Sequence, residues 1–148
     1  MAGILAHVNS GEVTTGVAAK TLLQIVAAAN HRIKVHKVSV FFKGTASSDA
    51  PIKVRLLRQT TAGTMTSATP AKNSDSDDET IQTTAQHTAT AEPTAGDVID
   101  MWEVHPQGGL MWQYALGQEI VVKGSGRLGL EITAGTSTTA VASFSWEE

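Results

Sequence analysis

Apolar and polar side chains alternate along much of this chain. Ile33 and Val35 alternate with Arg32 and Lys34, and Val38, Val40 and Phe42 then resume in the opposite phase. A two-residue period belongs to a strand with one buried face. The phase change near His36 and Lys37 predicts a β-bulge, because one extra residue turns every later side chain over. Ile52, Val54 and Leu56 alternate with Lys53 and Arg55, and Leu110, Trp112, Tyr114 and Leu116 fall on one face of a further strand. Thr80 to Thr88, Val98 to Val104, Glu119 to Lys123, Leu128 to Thr133 and Thr139 to Trp146 complete the set. Turn residues separate them at Pro93 to Gly96, Pro106 to Gly109, Gly124 to Gly126 and Gly135.

Ala18 to Asn30 reads in two ways. Its Ala and Leu content favours helix, and Leu22, Leu23, Ile25 and Val26 fit one helical face. The neighbouring strands favour a strand over Lys20 to Ala27, paired with the next through a turn at Ala29, Asn30 and His31. Gln59 to Glu79 is a long polar connection with a ragged strand near Thr64 to Ala68, and Met1 to Gly16 is an extended arm or edge strand. The expected fold is all-β, a jelly-roll-like β-sandwich of about eight or nine short antiparallel strands. It occupies 17–148 as one domain, with the N-terminal arm at 1–16 and a long polar loop at 59–79. No fixed-period repeat points to a solenoid or propeller.

Composition agrees with this pattern. A charged content of 17% leaves Thr and Ser to supply the polar surface, and Thr suits a half-exposed pleat. With no cysteine there is no disulfide framework, thiolate nucleophile or cysteine-based metal site. The first sixteen residues carry neither a basic n-region nor an apolar run of membrane-spanning length, so neither export nor a membrane partner is expected. The net charge of −3 gives no global attraction to nucleic acid. Charge is nonetheless uneven: Arg32 to Arg58 is strongly basic, whereas Asp75 to Glu119 contains no Lys or Arg.

Candidate chemistry is sparse. Gly124-Ser125-Gly126-Arg127-Leu128-Gly129 spells the dinucleotide-binding pattern, but that motif must open a helix, and Leu128, Leu130 and Ile132 alternate as a strand. A glycine turn between adjacent strands is the expected reading. Asn73 to Glu79 is acidic at alternate positions, yet it lacks the glycine and bidentate glutamate of an EF-hand loop, and a solvated acidic loop is expected. His7, His31, His36, His87 and His105 show no pair at metal-ligand spacing. No G-x-S-x-G elbow appears, and Asp97 with Asp100 or Glu103 with Glu119 are carboxylate pairs in name alone. No enzyme activity, cofactor or metal is expected. Arg32 and Lys34 lie on the outer side of one strand, and Lys53 and Arg55 on that of another; if the two are neighbours, they form a positive stripe suited to an acidic partner surface. Most of the large rings should be core, with one or two left for a subunit interface or a sugar platform.

A resemblance adds to this reading. Lys20-Thr21-Leu22-Leu23-Gln24, Ala28-Ala29-Asn30 with the basic strand Arg32 to Phe42, and the run from Trp102-Glu103-Val104-His105-Pro106-Gln107-Gly108-Gly109 to Trp112-Gln113-Tyr114 resemble small virion proteins of tailed bacteriophages, in particular jelly-roll capsid decoration (cement) proteins. The resemblance covers most of the chain after the first few residues and contains no diagnostic motif. It implies a homotrimer made in the host cytoplasm that sits on the capsid exterior and bridges major capsid protein subunits. The arm would supply Ile4, Leu5 and Val8 as apolar anchors, and Arg32, Lys34, Lys53 and Arg55 would be further capsid contacts. The alternative is a tail, baseplate or head-fibre module that stacks host glycan on exposed Trp or Tyr. A receptor ligand of the tumour-necrosis-factor or complement type is a third jelly-roll possibility, weakened by the missing disulfides and signal peptide.

Overall fold

The computed structural model describes residues 3–44, 49–75 and 78–148, and all of its regular structure is strand. The strands are β1 (Leu5–Asn9), β2 (Val13–Thr14), β3 (Lys20–Val26), β4 (Ile33–Phe42), β5 (Ile52–Gln59), β6 (Thr64–Ala68), β7 (Ala71–Lys72), β8 (Thr84–Ala91), β9 (Ala95–Val104), β10 (Gly109–Gln113), β11 (Ile120–Val122), β12 (Arg127–Thr133) and β13 (Thr139–Glu147). They form two antiparallel sheets packed face to face. The first runs β10-β4-β13-β1-β7, with β11 also on β4 and β2 also on β13; the second runs β6-β8-β3-β12-β5-β9. The chain changes sheet from β3 to β4 to β5, and again from β11 to β12 to β13. Crossing between sheets in this way lets neighbours in sequence face one another across the core.

The all-β sandwich expected from alternation is what the chain forms. Lys20 to Val26 is strand, because the buried Leu22, Leu23 and Ile25 face a ready-made sheet partner in β12, and tertiary packing outweighs the helix propensity. The strands exceed eight or nine because two-residue pairings such as β2 and β7 are too short to carry a hydrophobic pattern.

The bulge is where the phase change put it. Ser145 of β13 pairs with Lys37 and Trp146 with Val35, so His36 is the unpaired extra residue. Ile33 and Val35 before it and Val38, Val40 and Phe42 after it therefore all face inward. Against them stand Ala140, Ala142, Phe144 and Trp146 of β13, and opposite lie Leu23, Ile25, Leu128, Leu130, Ile132, Val54 and Leu56 of the second sheet. Large and small side chains interdigitate: the buried Trp146 sits between Ala6 and Val35 along its sheet row. Each of the largest buried side chains contributes roughly 1.5–3 kcal/mol from removal of apolar surface from water.

Two local expectations need correction. The turn at Ala29 to His31 does not close a β3–β4 hairpin, since it carries the chain from one sheet to the other. Nor is the N-terminal segment a free arm: β1 inserts between β13 and β7, pairing Leu5 to Asn9 with Glu147 to Ser143. The apolar alternation of Ile4, Ala6 and Val8 is satisfied by this chain's own core.

Candidate functional site

The basic residues come first, because the sequence placed them on one stripe. β4 and β5 belong to different sheets, so Arg32 and Lys34 are separated from Lys53 and Arg55 by the thickness of the sandwich. Arg55 is also engaged: its Nε and Nη2 donate to Glu131 Oε1 at 2.9 and 2.5 Å, and Glu131 is buried. Lys53 stands opposite Glu103 across the β5–β9 pair. Arg32 and Lys34 do face solvent. Of the three apolar anchor candidates, Ile4 and Val8 are buried in the core and only Leu5 is exposed, the strand period having turned alternate side chains inward. The Ile4 N–H donates to the Glu148 carbonyl at 2.7 Å and the Glu148 N–H returns to Ile4 at 3.0 Å, which fixes this segment to the sheet.

The histidines each have a separate task. His7 joins Ser145 and Asn73 at 2.8 and 2.9 Å, His87 meets Thr88 at 2.8 Å, and His105 accepts the Gln107 N–H at 3.1 Å. His36, on the bulge, has its pKa lowered, by burial first and then by the charges of Lys37 and His7. Among the described residues no three His, Asp or Glu side chains converge as metal ligands. The acidic run 73–79 lies partly outside the described residues, at 76 and 77. One member of each carboxylate pair is occupied with local bonding: Asp100 accepts the Tyr114 hydroxyl at 2.5 Å, while Glu119 accepts the Gly117 N–H at 2.8 Å. Burial and the hydrogen bond to Asp100 push the Tyr114 pKa well up. The Glu148 carboxyl accepts the N–H groups of Gln82 (2.6 Å) and Thr83 (3.2 Å) and Trp146 Nε1 (3.1 Å). Burial by itself would raise its pKa; these donors outweigh burial and hold it below the usual range.

The glycine motif is explained by packing. A Cβ at Gly124 would stand 2.6 Å from the Ala29 carbonyl oxygen, one at Gly126 2.8 Å from that of Lys123, and one at Gly129 2.2 Å from Gln59 Oε1. The Ser125 N–H donates to Ala27 and the Gly126 N–H to Lys123, so these amides are not free to cradle a phosphate. The turn joins β11 in one sheet to β12 in the other, not two adjacent strands of one sheet.

What stands out is the number of large apolar side chains left exposed on one group of strands. Phe41 is 51% and Met111 61% exposed on the outer face of the first sheet, whereas Trp112, 46% exposed, points the other way from β10. Leu116 is 97% exposed, Met101 stands opposite Arg55 on the second sheet, and Val98 and Val121 are exposed elsewhere on β9 and β11. All belong to β4, β9, β10, β11 or the loop between β10 and β11. β9 and β10 are the edge strands of their sheets and follow one another through the Pro106 turn. Trp102 and Trp112 close the gap between those edges, with ring centroids 6.2 Å apart and planes at 47°. On the outer face of the first sheet Phe41 lies over Gly109, where any Cβ would come within 2.1 Å of the ring, and Val141 is its partner on the other side. The Phe41-Phe42 doublet signals this exposure in the sequence: in an alternating strand, one of two adjacent rings must face out. Compared with protein-family models, with curated proteins and with solved structures, the chain matches none.

Proposed function

We propose that this chain is a non-catalytic adhesion module that joins copies of itself and attaches them to a larger protein surface. The observation that carries this reading is the exposure of two large apolar side chains, Phe41 and Met111, on one face of the first sheet at its β10 edge. Scattered surface hydrophobics need no explanation, but a group of them at unpaired sheet edges favours docking. In the form the resemblance implies, the assembly is a homotrimer on a phage capsid exterior that bridges major capsid protein subunits. Three weak footprints then act together, and avidity makes attachment stable. Leu5, Arg32 and Lys34 remain available as outward-facing contacts in this scheme, whereas Ile4 and Val8 do not.

Light scattering on a size-exclusion column, followed by co-sedimentation with empty capsids, tests the proposal. The wild-type chain should run as an oligomer and pellet with capsids, and a Phe41→Ser/Met111→Ser variant should be monomeric at the same concentration. A wild-type monomer that stays in the supernatant overturns it. The glycan alternative draws on one observation, the half-exposed Trp112 ring. A saturable, sugar-dependent change in tryptophan fluorescence that disappears in Trp112→Ala would favour it.

A further inference from the structure

Beyond the face that carries Phe41 and Met111, the molecule has a cleft whose chemistry the adhesion role does not use. The ends of β5 and β12, strand β11 and the turn after it enclose about 400 Å3, lined by Arg58, Lys123, Arg127, Val121, Val122 and Gly126 among others. No Asp or Glu lines it. None of its three cations takes part in an ion pair among the described residues, and Arg127 Nε is buried with no acceptor. In a chain of net charge −3, this is a local excess of positive charge that the fold itself does not neutralise.

We propose that this cleft binds a small molecule through a phosphate or sulfate monoester group. Three like charges brought to one concavity repel one another, and low-dielectric walls focus their field outward, which a bound oxyanion relieves. Two guanidinium groups offer planar donor pairs that match the spacing of oxyanion oxygens, and Lys123 adds a mobile point charge. The volume accommodates the anionic group with a compact organic body rather than a polymer. Val122 is buried and Val121 half-exposed, so the body meets an apolar wall while the anion meets the cations. Recognition is by side chains, since the neighbouring glycine-turn amides already donate within the chain.

The test is a titration of the 15N-labelled full chain at constant ionic strength with inorganic phosphate, glucose 6-phosphate and glucose 6-sulfate, with sodium chloride as reference. Saturable shifts at the Gly126 and Lys123 amides and the Arg127 Hε are expected with at least one ester. Arg58→Gln and Arg127→Gln should each weaken that ester at least tenfold, and Lys43→Gln, beyond the opposite end of β4 from its pairing with β11, less than twofold. Preference for phosphate or sulfate identifies the source of the anion. Should Arg127→Gln perturb the fold by circular dichroism, Arg58→Gln and Lys123→Gln decide the matter. Shifts that grow linearly with every salt, or affinities unchanged in the cleft variants, overturn the proposal.

Discussion

The outer faces of the two sheets meet the same physical demand in opposite ways. On the β3-β12-β5 sheet the chain covers itself. Gln24 Nε2 donates to Gln59 Oε1 at 2.7 Å and to the Thr61 carbonyl at 3.2 Å, and Gln59 Nε2 donates to Thr21 Oγ1 at 2.9 Å. The strap that starts at Thr60 is tied down through Thr94, whose carbonyl accepts the Thr60 N–H at 3.0 Å. Beside it the Arg55–Glu131 pair fills the same face. On the β4-β13-β1 sheet no segment among the described residues returns to cover Phe41 and Met111, and the row that Met111 heads continues in small hydroxyls, Ser39 bonded to Ser143. A face sealed by buried polar bonds is committed to the fold; a face of small polar and large apolar side chains is left for a partner.

If that contrast holds, substitutions on the two faces should differ in kind. The largest effect is expected from Arg55→Met, which strands the buried Glu131 carboxylate and should cost about 3 kcal/mol in urea unfolding. Arg55→Met/Glu131→Leu should recover most of that loss, and no recovery would mean that Arg55 acts by packing. Next comes Gly129→Ala, whose methyl must displace the Gln59 amide from its bonds, at about 2 kcal/mol by the same measurement. Acid should weaken the fold in two windows. His36 is held below its ordinary 6.5, so the unfolded chain takes up its proton first and stability declines as pH falls from there. Glu148 is held below its ordinary 4.5, so its contribution is complete above that value and disappears as pH falls through the folded value. Thermal melts of His36→Gln and Glu148→Gln should flatten the upper and lower windows respectively. The smallest effect on stability belongs to Phe41→Ser, about 0.5 kcal/mol at an exposed position, although it should shift the oligomeric state most. A Phe41→Ser cost equal to that of Arg55→Met would erase the distinction between the faces.

Much of the sandwich was legible from the order of side chains. The inward sets of β4, β5 and β12 are plain in their two-residue period, and the His36 bulge follows from its interruption. Less was legible at the surface. Arg55 and Lys53 look like free outward cations in the sequence, yet one is bonded to Glu131 and the other faces Glu103, carboxylates lying 76 and 50 positions further along. Gln24 reads as a polar break in an apolar run, and Gln59 and the Thr61 carbonyl, both contributed from a distant part of the chain, make its burial tolerable.

The sequence by itself determined that this chain forms strands, where one of them bulges, and which residues seek the core, because strand period and hydrophobicity act between near neighbours. Tertiary structure alone decided that β4 and β5 lie in different sheets, that β1 is an interior strand, and that Arg58, Lys123 and Arg127 meet at one cleft with no ion-pair partner among the described residues. Those outcomes depend on which distant segments share a sheet or a cleft, and alternation along one strand says that a face is buried without saying against what.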